Sequence, residues 1–160
     1  MDIVIETPKG SRIKYKYDEN HKFFRLRKIL PEGLVFPFDF GFLPGTKGED
    51  GDPIDVLVIS EFQGFPGCLM DCRIIGCIQA EQSSNGKKIR NDRFIAIPEQ
   101  SSVFENAISL EDIPSTIITQ IEKFFTNYME GEGKKFFPLG NLNAAQAMAI
   151  LNAEKTTALI

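Results

Sequence analysis

The hexapeptide Asp50-Gly51-Asp52-Pro53-Ile54-Asp55 places three carboxylates at the entrance of an apolar strand, residues 56–59. An aromatic run over residues 36–42 precedes it. Carboxylates held a few ångströms apart repel one another and raise each other's pKa, so such a cluster does not serve stability. Mg²⁺ offsets that repulsion, because it takes carboxylate and phosphate oxygens as ligands. The hexapeptide therefore predicts a metal site.

The same hexapeptide has two other interpretations. It has the composition of a solvated acidic turn, since Asp and Gly are frequent turn residues. A calcium loop of the EF-hand type fits less well. Gly51 and Pro53 stand in the wrong places for that loop, and no glutamate occupies its closing position.

Length and charge favour a single, mildly acidic domain over residues 1–160. A chain of 160 residues has the size of one domain with one core. With 18 basic and 22 acidic side chains, it lacks the excess positive charge on which nonspecific nucleic-acid binding depends. We therefore expect no nucleic-acid partner.

The cysteines and the apolar segments favour a cytoplasmic protein. The first residues alternate like a strand and carry an early acid, unlike a signal peptide. An odd number of cysteines then indicates reduced thiols, and a zinc site lacks a fourth ligand because the single histidine, His21, is distant. No apolar run approaches the ~20 residues that span a bilayer, so we expect no membrane contact. The cysteines are Cys68, Cys72 and Cys77.

Short strands dominate the first hundred residues. β-Branched or aromatic runs alternate there with turn residues and predict strands at residues 3–6, 13–17, 23–29, 35–42, 56–60, 69–81 and 93–97. No helix-length crossover separates them, which favours a barrel over a doubly wound parallel sheet.

Two helices are predicted near the C-terminus. Residues 109–112 resemble a capping box, and Pro114 suits a first helical turn. Apolar residues then recur at helical spacing from Ile117 to Tyr128, and glycines follow at 131 and 133. The second predicted helix starts near Asn143 and runs through Leu151.

The remaining candidates for chemistry are carboxylates and cations. The lone His21 argues against Ser-His or Cys-His nucleophilic catalysis, and no phosphate-binding glycine-rich loop is present. Metal-holding acids combined with phosphate-binding bases suit phosphoryl transfer to water. Lys14 and Lys16 lie two apart on a strand, so they share a face that an ordinary solvated strand would also present.

Three segments in this order resemble the family I soluble inorganic pyrophosphatases: residues 5–15, the aromatic-Pro and aromatic-Gly residues of 36–42, and residues 49–58. The resemblance continues through residues 93–98 and 124–128. It implies an α+β fold that is mainly β, an OB-like five-stranded β-barrel flanked by two C-terminal helices. It also implies a homo-oligomer, a hexamer as in bacteria or a dimer as in eukaryotes. The implied reaction is hydrolysis of pyrophosphate with several Mg²⁺ ions, or with Mn²⁺ as the alternative metal.

The resemblance also implies roles for individual residues. Asp52 corresponds to the general base for the attacking water, with Lys14 and Tyr128 as its catalytic partners. The substrate phosphates would contact Lys14, Lys28, Arg93 and Tyr128. The metal ligands would be Glu6, Asp50, Asp52, Asp55 and, through a change of register described next, Asp92.

Several positions depart from the family pattern. Asn91 and Gln82 stand where metal-binding aspartates are expected, and the acids Asp92 and Glu81 lie one residue away. Neighbours on a strand point to opposite faces, so a one-residue register change or bulge would bring these acids inward. The other departures are Lys16 for an acid, Lys28 for an arginine, Arg93 for a lysine, Met129 for a lysine, and Phe36 and Phe40 for tyrosines.

These departures leave three alternatives to an ordinary pyrophosphatase. One is a catalytically impaired pyrophosphatase-like oligomeric protein, and another is a divergent hydrolase of a larger phosphoanhydride. The third is an OB-type nucleic-acid-binding module, since aromatic and basic residues interleave over residues 22–28. The net acidity and the three signature aspartates count against that third alternative.

Overall fold

The computed structural model describes the backbone of residues 1–158 and the side chains of residues 1–155. The prediction of one domain over residues 1–160 thus includes two residues that lie outside the described part. In chain order the strands are β1 (Asp2–Thr7), β2 (Ile13–Asp18), β3 (Phe23–Ile29), β4 (Asp39–Leu43), β5 (Ile54–Val58), β6 (Leu69–Ser84), β7 (Lys87–Arg90), β8 (Arg93–Pro98) and β9 (Lys135–Asn143). The helices are α1 (Ser115–Glu130) and α2 (Ala144–Ala158).

Five strands close into a ring in the order β1-β4-β5-β8-β6, because β6 also pairs with β1. The pairings are antiparallel except for β5 with β8. Strand β4 comes very close to β1 at Gly41, where a Cβ atom would lie 2.1 Å from the Val4 carbonyl oxygen. With α1 and α2 following, this confirms the predicted OB-like barrel with two C-terminal helices.

Two apolar clusters fill the molecule, one under each helix. The first packs the inner face of α1, including Ile121, Phe124 and Phe125, against barrel residues such as Leu57. The second joins α2 to the barrel through Ala147 and Leu151. All three cysteines are free, and Cys72 and Cys77 are buried in β6 as small apolar residues. Among the described residues, no helix combines the length and hydropathy that crossing a membrane requires.

Some predicted boundaries were wrong. The strand predicted at residues 35–42 begins only at Asp39, because Pro37 and the preceding loop interrupt it. Residues 109–112 do not start α1. Instead, the Ser109 N–H donates to Asp112 at 2.9 Å around a separate 3₁₀ turn, Leu110–Asp112, and α1 begins after Pro114.

Two strands were not predicted. The turn after residue 81 is a hairpin of β6 with β7, and Asn85 (φ 52°) and Gly86 (φ 77°) form its tip. Asn-Gly with positive φ at both positions suits a tight two-residue hairpin turn. Strand β9 pairs along β6 between Ser83 and Gly76. It contains Pro138 and Gly140, and such residues predict a break.

Candidate active site

A cavity of about 220 Å³ brings the predicted site residues together, and we call it the central cavity. Its lining includes the predicted residues Glu6, Lys14, Asp50, Asp52, Asp55, Arg93 and Tyr128. Lys28 stands at its edge, 3.0 Å from the carboxylate of Glu132, which also lines the cavity. The remaining lining residues are Lys16, Arg27, Phe36, Phe40, Phe42, Pro53, Gln82, Asn91, Phe125, Met129 and Lys134.

Glu6 reaches the cavity because of an irregularity in β1. The pairing of β1 with β4 shifts register between Ile5 and Thr7, which leaves Glu6 as the extra residue. Its carboxylate accepts a hydrogen bond of 2.8 Å from the Tyr17 N–H. Burial raises the pKa of Glu6 to about 7, and the Tyr17 hydrogen bond opposes that rise. Burial thus makes Glu6 a weaker acid than an ordinary glutamate.

The acidic hexapeptide forms a tight loop followed by a strand. The Gly48 N–H donates to the Asp52 carbonyl at 2.7 Å, and the Asp52 N–H donates to the Asp50 carboxylate at 3.1 Å. Gly51 takes a φ of 86°, which residues with a side chain rarely adopt. Asp55 then lies in β5 opposite Phe42 of β4. The loop and strand thus place the three carboxylates at one wall of the cavity.

Each of the three aspartates has its own partner within the chain. The Asn91 amide Nδ2 donates to Asp50 at 3.1 Å, and Lys16 Nζ donates to Asp52 at 2.7 Å. Arg93 Nη1 lies 2.9 Å from the carboxylate of Asp55. Burial raises the pKa of Asp50 and of Asp55, and in both cases the charge of Arg93 opposes the rise. Within residues 1–155, no three His, Cys, Asp or Glu side chains already converge as a metal site.

The cations of the cavity lie on aromatic rings. Lys14 Nζ is 5.2 Å from the centroid of the Tyr128 ring, and Lys28 Nζ is 4.8 Å from the same centroid. The Arg93 guanidinium lies 4.5 Å from the centroid of Phe125. Burial lowers the pKa of Lys14 and raises the pKa of Tyr128 to about 12. Tyr128 is therefore neutral near pH 7 and keeps a proton to donate.

The comparisons with known proteins agree with this geometry. The family model described as inorganic pyrophosphatase matches residues 3–158. The chain belongs to the inorganic pyrophosphatase family.

Similar proteins include the inorganic pyrophosphatase of Sulfolobus acidocaldarius, 32% identical over 147 residues that cover 91% of this chain and 83% of the relative. The inorganic pyrophosphatase of Methanosarcina acetivorans is 34% identical over 148 residues, covering 91% of this chain and 86% of the relative. The solved structure of the inorganic pyrophosphatase from Thermus thermophilus matches with a TM-score of 0.92 at 28% identity, covering 100% of this chain and 91% of the other.

The structure places Asp92 in a neighbouring cavity that it shares with Asp50, Asp55 and Asn91, and not in the central cavity. Its carboxylate accepts a hydrogen bond from the Ala80 N–H at 3.1 Å and pairs with Arg90, so it is held outside the central cavity. Glu81 likewise stays out, and its carboxylate lies 4.0 Å from Lys88 Nζ. No register change brings either acid inward. The cavity lining next to the three aspartates therefore contains the amides Gln82 and Asn91 in place of further acids.

Sequence reasoning missed Glu132. Its carboxylate pairs with Lys28 at 3.0 Å, and its charge helps to raise the pKa of Tyr128. Glu132 lies in the turn after α1 ends at Glu130, so helical spacing from Tyr128 did not mark it in the sequence. The pairing of Lys16 with Asp52 was also missed, because it joins residues 36 positions apart.

Proposed function

We propose that this protein hydrolyses inorganic pyrophosphate to two phosphates with the help of a divalent metal ion. One observation carries the proposal: the central cavity sets the carboxylates of Glu6, Asp50, Asp52 and Asp55 against the cations Lys14, Lys16 and Arg93. Membership of the inorganic pyrophosphatase family supports the same reaction. Phosphoryl transfer depends on positioning and on charge neutralisation, which are what such a cavity supplies.

The donor set of one wall fits a hard cation. Mg²⁺ prefers oxygen ligands and commonly binds one or two carboxylates together with substrate phosphates, and Mn²⁺ is the alternative. Glu6, Asp50, Asp52 and Asp55 supply carboxylates to the cavity, and of these Asp55 is paired with Arg93. When bound, such an ion lowers the pKa of a water molecule and neutralises phosphate charge.

Asp52 is suited to take the proton from the attacking water. Its side chain is 54% exposed, and its pairing with Lys16 is a solvent-exposed ion pair that separates at little cost. In the proposed reaction the water oxygen attacks one phosphorus atom and its proton passes to the Asp52 carboxylate. The bridging P–O bond breaks, and the second phosphate leaves with the electron pair of that bond.

Cations and a hydroxyl group on the other side hold the two phosphates. Lys14 and Lys28 both lie over the ring of Tyr128, so their positive charges face the same part of the cavity. The Tyr128 hydroxyl, with its pKa of about 12, donates a hydrogen bond throughout the neutral range. These three residues therefore bind and orient pyrophosphate, whereas Asp52 accepts the proton of the attacking water.

The test is release of phosphate from pyrophosphate by the purified protein, with Mg²⁺, with Mn²⁺ and with a chelator, and with a nucleoside triphosphate in parallel. The proposal expects metal-dependent release from pyrophosphate that exceeds release from the triphosphate. Preferential use of the triphosphate would favour the divergent phosphoanhydride hydrolase. Absence of release from either substrate by folded protein would favour a catalytically impaired family member.

We also propose a cytoplasmic homo-oligomer of one domain, with the hexamer favoured over the dimer. Large apolar side chains support association, since Phe23, Phe65 and Leu69 are exposed by 75%, 64% and 59%. Free cysteines suit a reducing compartment. Light scattering coupled to gel filtration measures the oligomer directly, and a monomeric mass at micromolar concentration would contradict this proposal.

A further inference from the structure

Each of the three aspartates of residues 50–55 pairs with a different donor side chain of the same chain; we call such a pairing capping. Lys16 lies on β2, Arg93 lies on β8 next to β5, and Asn91 lies in the link before β8; each meets a different aspartate. A divalent cation that binds these carboxylates has to displace a partner or share the oxygen with it. The cost of doing so depends on how firmly each partner is held.

The Lys16–Asp52 pair is weakly held. The side chains are 40% and 54% exposed, so water screens their attraction and either one exchanges its partner readily. The Arg93–Asp55 pair is firmly held, because these side chains are only 2% and 20% exposed. Removal of one partner from a buried pair leaves an uncompensated charge in a poorly solvated place.

Further contacts fix Arg93 in place. Its Nη1 donates to the Asn91 carbonyl oxygen at 3.0 Å and to the Asn91 side-chain oxygen as well. The guanidinium packs on Phe125, 4.5 Å from the ring centroid. These contacts hold the rigid, planar guanidinium, and with it the positive charge of Arg93, beside Asp55.

The wall around Arg93 adds no negative charge. Gln82 and Asn91 are neutral amides, and hard cations bind neutral donors more weakly than carboxylates. Two side-chain atoms of the cavity lining, Gln82 Oε1 and Arg93 Nε, are buried without a hydrogen-bond partner among the described residues. Buried polar atoms are normally paired, so this wall is a place that a bound group completes.

We infer that Arg93 and Lys16 are built-in counter-cations that reduce the number of divalent ions the cavity takes. Asp55 stays paired with Arg93 and does not coordinate the metal ion. Asp52 exchanges its partner Lys16 for the metal ion. The cation then depends mainly on Asp50 and Asp52, with Glu6 alongside. This inference rests on the proposed function in taking the cavity as the cation site, but it concerns the number and affinity of the ions and not turnover.

The experiment counts Mn²⁺ ions bound to the protein without substrate, by the loss of the free Mn²⁺ signal in electron paramagnetic resonance. Arg93→Met should bind one more Mn²⁺ per chain than the wild type, because Asp55 becomes available. Lys16→Met should bind the same number as the wild type but about two- to fivefold more tightly, since only an exposed pair is lost. Lys134→Met is the matched control.

Lys134 lines the same cavity and is 36% exposed, but its partner is Glu132, at 3.8 Å. Its removal changes the cavity charge as much as that of Lys16 while leaving the aspartates capped. If Lys134→Met tightened Mn²⁺ binding as much as Lys16→Met, general charge and not capping would explain the effect, and the inference would be overturned.

Arg93→Lys covers the case in which Arg93→Met does not fold. A lysine keeps the charge but loses the fork, so this variant should bind Mn²⁺ more tightly than the wild type. Equal number and affinity in the wild type and in every folded Arg93 variant would overturn the inference. Failure of the proposed function looks different: it would leave the Mn²⁺ counts as expected while no phosphate is released from pyrophosphate.

Discussion

The two walls of the central cavity have opposite chemistry. One wall, formed by the loop before β5 and by β5 itself, carries Asp50, Asp52 and Asp55. The other, on β6, β8 and the link before β8, carries Gln82, Asn91 and Arg93. The first wall alone predicts a highly charged metal centre. The second wall shows that the chain itself neutralises part of that charge. A signature motif therefore shows which carboxylates are present, and the residues that contact them determine how many are unpaired.

The largest expected effect concerns proton transfer at the acidic wall. Asp52→Asn removes the base but keeps the shape of the side chain, and we expect kcat to fall by about 10²–10⁴-fold. Pre-steady-state and steady-state phosphate release measure this. Asp71→Asn, an exposed aspartate bonded to the N-terminal amine, is the control and should keep normal turnover. Normal kcat in folded Asp52→Asn protein would show that the base is another group.

The two ion pairs across the cavity should differ in their contribution to stability. Asp55→Asn leaves Arg93 buried without a counter-charge, and we expect a loss of about 3–5 kcal/mol in the free energy of unfolding. Asp52→Asn breaks only the exposed pair with Lys16 and should cost about 0–1 kcal/mol. Urea denaturation of both variants measures the difference. Equal losses would mean that the buried Arg93–Asp55 pair stabilises the fold no more than the exposed Lys16–Asp52 pair does.

The two lysines of β2 should differ in their effect on substrate binding. Lys14 lies over Tyr128 in the part of the cavity that we propose to bind phosphate, whereas Lys16 is paired with Asp52. We expect Lys14→Met to lower kcat/KM by roughly ten- to a hundredfold, as loss of a charge-assisted hydrogen bond does. Lys16→Met should change it by less. The opposite ranking in steady-state assays would mean that the phosphates bind closer to Lys16 and the acidic loop than to Lys14 and Tyr128.

A carboxylate added to the neutral wall should strengthen metal binding. Asn91→Asp adds an anionic ligand beside Asp50, and we expect the Mg²⁺ concentration for half-maximal activity to fall several-fold. Asp92→Ala should leave that concentration nearly unchanged, because its carboxylate is bonded to Ala80 and Arg90 outside the cavity. A strong shift for Asp92→Ala combined with none for Asn91→Asp would place the ligand at Asp92 after all.

The smallest expected effect concerns the stability contribution of Glu61, a carboxylate outside the cavity. Glu61 accepts hydrogen bonds from Ser101 and Ser102, and the Ser101 bond is the main reason that its pKa lies near 2. A carboxyl group with a lowered pKa stabilises the fold above its unfolded pKa near 4.5, and the contribution is lost as the pH falls toward 2. Glu61→Gln should therefore be less stable than the wild type at pH 7, and the two unfolding curves should converge near pH 2. A gap that does not depend on pH would exclude this linkage.

The barrel and the acidic wall were predictable from local sequence. Alternating β-branched and aromatic residues defined most of the strands of the ring, and the charge density of residues 50–55 marked the acidic wall of the cavity. Strand β9 was not predicted, because Pro138 and Gly140 break the local pattern and pairing with the long strand β6 overrides them. Local propensity is a weak guide where a neighbouring strand supplies the hydrogen bonds.

The ion-pair partners of the aspartates were not predictable from local sequence. The contact of Lys16 with Asp52 and that of Arg93 with Asp55 join residues far apart in the chain, and only the closed barrel brings them together. The position of Asp92 depends on the register of β6 with β7 and on its bond to Arg90. A one-residue slip would reverse the outcome, and the sequence of the strand alone does not determine that register.

The most direct test of the account is to follow pyrophosphate by ³¹P nuclear magnetic resonance with purified wild-type protein while Mg²⁺ is titrated. The account predicts that the pyrophosphate signal is replaced by phosphate once Mg²⁺ is present, and that it persists with a chelator or with Asp52→Asn. A pyrophosphate signal that persists at every Mg²⁺ concentration, with protein shown to be folded, would contradict the account.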